Sequence, residues 1–338
     1  MATPGASSGW RVAIIGATSL KGKELKEVLE ERLFPVKKLA LLDDNEALGQ
    51  LTEFEGEPAI VQEVGAETFT ENDLVFFAST SGEFTRSLWP KAAAGSAALI
   101  DLSHALLDVP EAAVRVPFLE KSTSRPSSSQ PWYVAPHAAA IVLLALGERL
   151  SAALPLRQMV ANIFEPVSER GAAGLEELQE QTVRLLSFQE YPRTVFDAQV
   201  AFNLLARYGA ASRTRLEETE DIIRRQIQRW SPSWSERVAL RLIQAPVFHA
   251  HTFSVLLEFE KGCEVADLER VLPGERLALV GRDEPPAAAV EVAGREEILV
   301  GPIGRDSGRA NAFWVWAAAD NLRLISRTAV DIGEEVIL

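Results

Sequence analysis

RVAIIGATSLKGKELKEVLEERLFPVKKLALLDD, residues 11–44, carries the pattern that decides the fold. Val12 to Ile15 is an unbroken apolar run of strand length, the segment from about Leu20 to Leu33 has helical spacing, and Leu39 to Leu42 is a second apolar run. Short continuous runs suit strands buried on both faces of a parallel sheet, so strand, helix and strand together predict a βαβ unit. Gly16 and Gly22 bracket its turn, and Ser19 stands where a dinucleotide-binding pattern has its middle glycine. Such a turn needs backbone close to a pyrophosphate with no Cβ in the way. The turn is therefore one of two things. As a nucleotide cradle it uses Gly16, Thr18, Ser19, Leu20 and Gly22, with Lys21 bringing a charge within reach of a pyrophosphate. As a structural turn it is simply a helix start capped by Thr18 or Ser19. Asp43 follows roughly 20 residues beyond the glycines, where an acid takes the ribose hydroxyls of NAD and repels the 2′-phosphate of NADP. The alternative for Asp43, with Asp44 and Glu46 nearby, is a solvated acidic loop.

The alternation continues with a strand at Leu74 to Ala78, a helix from about Glu83 to Ala94 and a strand at Ala97 to Asp101, which makes this half a doubly wound sheet. STSRPSSSQP, residues 122–131, reads as a surface loop. WYVAPHAAAIVLLALGERL, residues 132–150, then runs from a short strand into a long apolar helix through Pro136, His137, Ala138, Ala139 and Ala140. α/β enzymes often present a nucleophile at such a place, because the free N–H groups of the helix start stabilise an anion. Here the turn presents alanines.

The second half mixes two amphipathic helices, GAAGLEELQEQTVRLLSF and RLEETEDIIRRQIQRW, with β-rich runs ending in AFWVWAAA, and a last helix runs from Asp320 toward Val336. The charges of the second helix are expected mostly on a solvated face. His249 and His251 sit at i and i+2, facing one side of a strand. The fold class is α/β: an N-terminal parallel-sheet domain plus an α+β domain with a mostly antiparallel sheet. The expected division is a disordered tail at 1–9, a dinucleotide-binding-type domain at 10–137 with 320–338, and a substrate and dimerisation domain at 138–319.

Bulk properties agree. A chain of 338 residues that is 47% apolar fills two cores. A net charge of -14 argues against nucleic acid and anionic membranes, which select for clustered cations. No apolar run approaches the roughly 20 residues of a membrane span. The single cysteine, Cys263, fits a reducing cytoplasm.

The order GATSLKG (16–22), FFASTSG (76–82), LIDLSHALL (99–107), VAPHAAA (134–140), PVSERGAAGLEEL (166–178), QAPVFHAHTFSV (244–255) and FWVWAAADNLR (313–323) resembles the aspartate-semialdehyde dehydrogenase family along about residues 10–338. It is most similar to that family's bacterial paralogues carrying PVSERG. The resemblance implies a Rossmann-like dinucleotide domain completed by the C-terminal helix, a substrate and dimerisation domain between, and a homodimer. Active members use NADPH to reduce β-aspartyl phosphate through a thioester on a cysteine, whose asparagine-cysteine-serine/threonine turn aligns with His137, Ala138 and Ala139. A methyl group at Ala138 removes the first covalent step. The family's catalytic histidine is retained as His251. Its acyl-orienting glutamine aligns with Glu165, its carboxylate-binding arginine with Gln244, its phosphate-binding arginine with Leu107 and the asparagine of its VPEVN segment with Glu120. Ser168 belongs to a substrate-side turn, and a role as nucleophile beside Glu165 and His251 is weighed against that. Asn321 and Arg323 remain of the C-terminal cofactor contacts, while Thr80 and Ser81 replace a glycine pair.

The expectation is thus a family member inactive in the family reaction, with NAD preferred over NADP or no nucleotide bound. One alternative is an oxidoreductase that reduces a ready-made carbonyl with His251 as proton donor. The other is a small-ligand or metal site, in which His137, His251 and Glu165 ligate Zn2+.

Overall fold

A computed structural model of the chain describes residues 9–44, 47–65, 67–120, 130–281 and 284–337. The expected tail, Gly9 excepted, and most of the expected 122–131 loop lie outside the described residues. The chain divides into two compact units, one of Met1–Pro117, Lys121–Ala135 and Ser326–Leu338, the other of Phe118–Glu120 and Pro136–Ile325.

In the first unit, β1 (Trp10–Ile15), α1 (Leu20–Glu31) and β2 (Val36–Asp43) form the βαβ unit. β3 (Leu51–Phe54) and β4 (Glu57–Ile60) make a separate hairpin that sequence reasoning did not foresee. Its two turn residues, Glu55 and Gly56, have φ of 51° and 79°, the left-handed pair that a tight hairpin requires. β5 (Gln62–Glu63), α2 (Thr68–Glu71), β6 (Leu74–Phe77), α3 (Gly82–Ala93), β7 (Ala98–Asp101), β8 (Ala113–Val114) and β9 (Trp132–Val134) follow. Seven strands pair in parallel in the order β5-β2-β1-β6-β7-β9-β8. Val12–Ile15 and Leu74–Phe77 are fully buried at its centre, as continuous apolar runs demand.

Strand order reverses between β1 and β6, which opens a crevice beyond their C-terminal ends. Gly16 lies there with φ +84°, and a Cβ on it would fall 2.4 Å from the Ser79 nitrogen. A Cβ on Gly22 would fall 2.2 Å from the Gly16 oxygen. Both contacts are with backbone that cannot retreat, so the turn itself demands glycine at each position.

The second unit begins with α4 (Ala138–Ser151), in which Ala138 to Leu146 are all buried. Burial of a Leu, Ile or Val side chain contributes about 1.5–3 kcal/mol before the cost of ordering the chain, which explains a helix that is apolar on every side. β10 (Leu156–Glu165), α5 (Gly171–Leu186), α6 (Leu216–Trp230), β11 (Val238–Gln244), β12 (His251–Phe259), α7 (Val265–Val271), β13 (Leu277–Leu279), α8 (Ala289–Val292), β14 (Ile298–Arg305) and β15 (Ala312–Ala319) complete it. Six strands form one sheet in the order β11-β10-β12-β15-β14-β13. Its three central pairings are antiparallel, and only the edge strands β11 and β13 pair in parallel. β12 alternates strictly, with His251, Phe253, Val255, Leu257 and Phe259 buried and the residues between them half-exposed. AFWVWAAA is β15, an interior strand with Phe313, Val315 and Ala317 in the core. Trp314, on the opposite face of the same strand, is 41% exposed.

α9 (Asn321–Ile337) ends the described chain, and from Ser326 onward it belongs to the first unit, where Glu335 pairs with Arg115 at 2.5 Å. Among the described residues no helix is long and apolar enough to cross a membrane.

Candidate functional site

The glycine turn of the first unit is held by its own side chains. Ser19 caps α1, accepting from the Gly22 N–H at 2.9 Å while its hydroxyl donates to the Ala78 carbonyl at 2.7 Å. One Asp43 oxygen, Oδ2, accepts from the Thr18 N–H at 2.8 Å and the Thr18 hydroxyl at 2.6 Å; Oδ1 accepts from the Asp44 N–H at 3.0 Å. The acid expected to meet ribose is thus buried and engaged with the turn. Lys21 departs from its expected role. Its ammonium donates to the Leu102 carbonyl at 3.0 Å from a buried position, because the first turn of α1 carries that side chain into the unit. Leu20 is half-buried as the first residue of α1, Ser81 caps α3 by accepting from the Glu83 N–H at 3.2 Å, and Thr80 is exposed.

The second unit gathers His137, Ser168, His251 and Asn321 around a residue not singled out for a role, Glu169. His137 is the N-cap of α4. Its N–H donates to Gln226 Oε1 at 2.9 Å, and its Nδ1 accepts from the Ala139 N–H at 3.2 Å. A side chain that accepts from the first turn of a helix contributes about 1 kcal/mol. Accepting at Nδ1 places the ring proton on Nε2, and Nε2 faces Glu169 Oε2 at 3.4 Å, both groups being nearly buried. The His137 and His251 rings meet edge to face with centroids 5.2 Å apart. Asn321 Nδ2 donates to Glu169 Oε1 at 2.9 Å, and Asn321 Oδ1 accepts from the Ala250 N–H at 3.0 Å and the Ser168 hydroxyl at 3.2 Å. Ser168 is therefore tied to an amide, and among the described residues no base is aligned on its hydroxyl.

His249 does not share a strand face with His251. Ala250 between them has φ +71°, β12 starts only at His251, and His249 sits in the preceding bend. The left-handed residue rotates the chain, which breaks the i, i+2 relation on which the pairing rested.

Glu165 and Gln244 lie side by side at the ends of β10 and β11, in register. The Arg170 guanidinium donates to Glu165 Oε1, to Thr219 Oγ1 at 3.3 Å and, through Nε, to the Tyr208 hydroxyl at 3.0 Å. That hydroxyl donates to Gln244 Oε1 at 2.6 Å, and Gln244 Nε2 donates to the Glu165 and Ala245 carbonyls at 2.8 and 3.0 Å. Every donor and acceptor class of Gln244 is used internally, so its amide has nothing left for a substrate carboxylate. Burial pushes the Glu165 carboxyl above its ordinary range against the attraction of Arg170, and Glu169 adds to the push. Burial also acts to lower the Arg170 guanidinium, but Glu165 and Tyr208 hold it above its ordinary value. Glu165 Oε2 is buried without a hydrogen-bond partner. α6, expected to keep its charges mostly in solvent, turns Glu220 and Gln226 inward, where Glu220 accepts from the Leu242 N–H at 2.8 Å.

The expected metal-ligand set changes with this pairing. The donor atoms of His137, Glu169 and His251 all lie within 4.8 Å of one another, so the carboxylate is Glu169. Glu165 is held instead by Arg170. Two imidazoles and a carboxylate can exchange protons or hold a cation, while Ala138, next to His137, offers only a methyl group, which forms no acyl intermediate.

A family model described as the semialdehyde dehydrogenase NAD binding domain matches residues 11–125, and one described as the semialdehyde dehydrogenase dimerisation domain matches residues 148–324. The chain is 31% identical to the USG-1 protein homolog of Pseudomonas aeruginosa, covering 96% of this chain and 97% of that one. It is 27% identical to an aspartate-semialdehyde dehydrogenase of Rickettsia bellii, covering 97% and 98%. Among solved structures it resembles aspartate semialdehyde dehydrogenase II of Vibrio cholerae complexed with ASA, with a TM-score of 0.89 at 25% identity over 98% of this chain and 99% of that one. It also resembles a probable aspartate-semialdehyde dehydrogenase of Pseudomonas aeruginosa, with a TM-score of 0.87 at 30% identity over the same shares.

Proposed function

The chain belongs to the semialdehyde dehydrogenase family, and we propose that it is a member that does not catalyse the reductive dephosphorylation of β-aspartyl phosphate. The observation that carries this reading is the start of α4. Ala138 stands at the place the family resemblance gives to the nucleophile, and the N–H of Ala139, which would stabilise an anion there, is taken by the His137 ring. A methyl group forms no thioester, and hydride has no activated carbonyl to reach. The closed Gln244, Tyr208, Arg170 and Glu165 network supports the same reading, because it spends on the protein the contacts that an anionic substrate needs. The test is an assay in the oxidative direction with aspartate semialdehyde, phosphate and either nucleotide. The expected rate is that of a blank without protein, and turnover well above it defeats the proposal.

The NAD binding domain suggests nucleotide as a ligand of the first unit. In this reading binding is weak or absent, and NAD is preferred to NADP where it occurs, because the buried Asp43 carboxylate repels a 2′-phosphate. Calorimetric titration with each nucleotide checks it; NADP binding more tightly than NAD contradicts the placement of that charge. Asp43→Asn reduces the preference, and also loosens the turn, since Asn keeps only one oxygen for the contacts that Asp43 makes.

The protein is further proposed to be a homodimer, in keeping with its dimerisation domain. One face of the six-stranded sheet supports this: Val160, Leu256 and Trp314 are opposite one another across β10, β12 and β15 and are partly exposed, with Trp314 41% exposed. A second copy seated on this apolar row would shield it from water. Light scattering at micromolar concentration is expected to read twice the chain mass. A cytoplasmic location completes the reading, in keeping with a single buried thiol.

A further inference from the structure

We propose that His137, Glu169 and His251 bind one divalent metal ion with the ligand preference of zinc. Three separate elements bring them together: the N-cap of α4, the turn after β10 and the first residue of β12. Two imidazoles and one carboxylate are a set that zinc favours over magnesium or calcium. Metal–ligand bonds of about 2.0–2.1 Å at a tetrahedral angle put two donor atoms about 3.4 Å apart. His137 Nε2 and Glu169 Oε2 stand at 3.4 Å, and His251 completes a set within 4.8 Å that small rotations of its ring would close.

Two further observations point to a cation. Glu169 is held from behind, its other oxygen accepting from Asn321, which is itself anchored on the Ala250 N–H beside His251. Ligating carboxylates are oriented in this way by outer hydrogen bonds. Glu165 provides the second. Its buried Oε2 has no hydrogen-bond partner, and its carboxyl feels the charges of both Glu169 and His137. A cation held beside Glu169 would act on this buried carboxyl as well, which the attraction of Arg170 alone leaves above its ordinary range.

One contact opposes binding. Coordination at His137 Nε2 moves the ring proton to Nδ1, so the ring turns off the Ala139 N–H and α4 loses its cap. A single cap contact is weaker than a zinc–imidazole bond, so the ion prevails at a reduced affinity.

The test titrates Zn2+ into chelator-treated full-length protein by calorimetry, with Co2+ as a spectroscopic probe. One ion per chain is expected, with a dissociation constant on the order of 1 μM or tighter. His251→Gln and Glu169→Gln abolish stoichiometric binding, Asn321→Ala weakens it about 10- to 100-fold as an outer partner, and His249→Ala leaves it unchanged. X-ray absorption on the zinc-loaded wild-type protein shows nitrogen and oxygen neighbours, two of them imidazole, and needs no variant to fold. Absence of stoichiometric binding at 100-fold excess over about 1 μM overturns the proposal, as does a sulfur neighbour from Cys263 or full retention of binding in folded His251→Gln.

Discussion

Ala138→Cys is expected to gain no aspartate-semialdehyde dehydrogenase turnover above the wild-type blank. The substitution restores a sulfur at the start of α4 but none of the conditions that make it a nucleophile. Helix N–H groups lower a thiol's pKa, and here the Ala139 N–H points to His137 Nδ1. Position 138 is also 2% exposed, and burial favours the neutral thiol over the thiolate. Substrate binding fails independently. Loss of one partner of a buried charge pair costs about 2–5 kcal/mol, which is roughly 30- to 4,000-fold in binding, and Gln244 offers no charge to replace it. Measured progress of the oxidative assay, with alkylation of the introduced thiol by iodoacetamide as a second readout, separates the two causes. Slow alkylation with no turnover is the expected pair; turnover in this single variant means that the substrate takes its cationic contacts from other residues.

Arg170→Ala is expected to lower stability by about 3–5 kcal/mol, because it strands a buried carboxylate. Glu165 is fully buried and is paired with Arg170. The pH dependence carries a sign. Burial already holds the Glu165 carboxyl above its ordinary 4.5, so the folded protein binds that proton more tightly than the unfolded chain does. Stability from this group is then full below about 4.5 and falls as pH rises through the raised folded value. Without Arg170 the folded value climbs further. The deficit of the variant is therefore largest at neutral pH and shrinks toward pH 5, and Glu165→Gln added to Arg170→Ala recovers much of it and removes the pH dependence. Denaturant melts of the three proteins at several pH values read this directly. A loss under about 1 kcal/mol that does not change with pH would mean that water already solvates Glu165.

The sheets were legible because apolar runs and their spacing are local. Val12–Ile15 and Leu74–Phe77 read as buried strands for the same reason that they are buried, and α1, α3 and α6 lie within a few residues of their periodic segments. The β3–β4 hairpin was missed because Glu55–Gly56 puts a glutamate where asparagine or aspartate usually announces a tight turn. His137 and His251 were found as chemistry-bearing residues, but their partner was not. Glu169 and Arg170 adjoin Ser168, and which of them meets Glu165 depends on the turn after β10 and on Tyr208, some 40 residues away. Charge partners chosen by tertiary geometry leave no periodic trace. Lys21 failed for a similar reason: a cation beside a phosphate-type turn reads as a ligand contact, and only the packing of α1 sends it to Leu102.

The backbone packing around Gly16 and Gly22 has a consequence for inheritance. A mutation that adds even a methyl group at either position meets main-chain atoms at 2.4 or 2.2 Å, with or without a nucleotide present. Selection for a folded protein alone removes such mutations, generation after generation. A lineage that had ceased to use nucleotide would still transmit both glycines intact, whereas Ser19, whose cap of α1 and donation to the Ala78 carbonyl a threonine hydroxyl can also perform, would be freer to drift. Drift at position 19, more than persistence at 16 and 22, is where a lapsed cofactor would leave its mark.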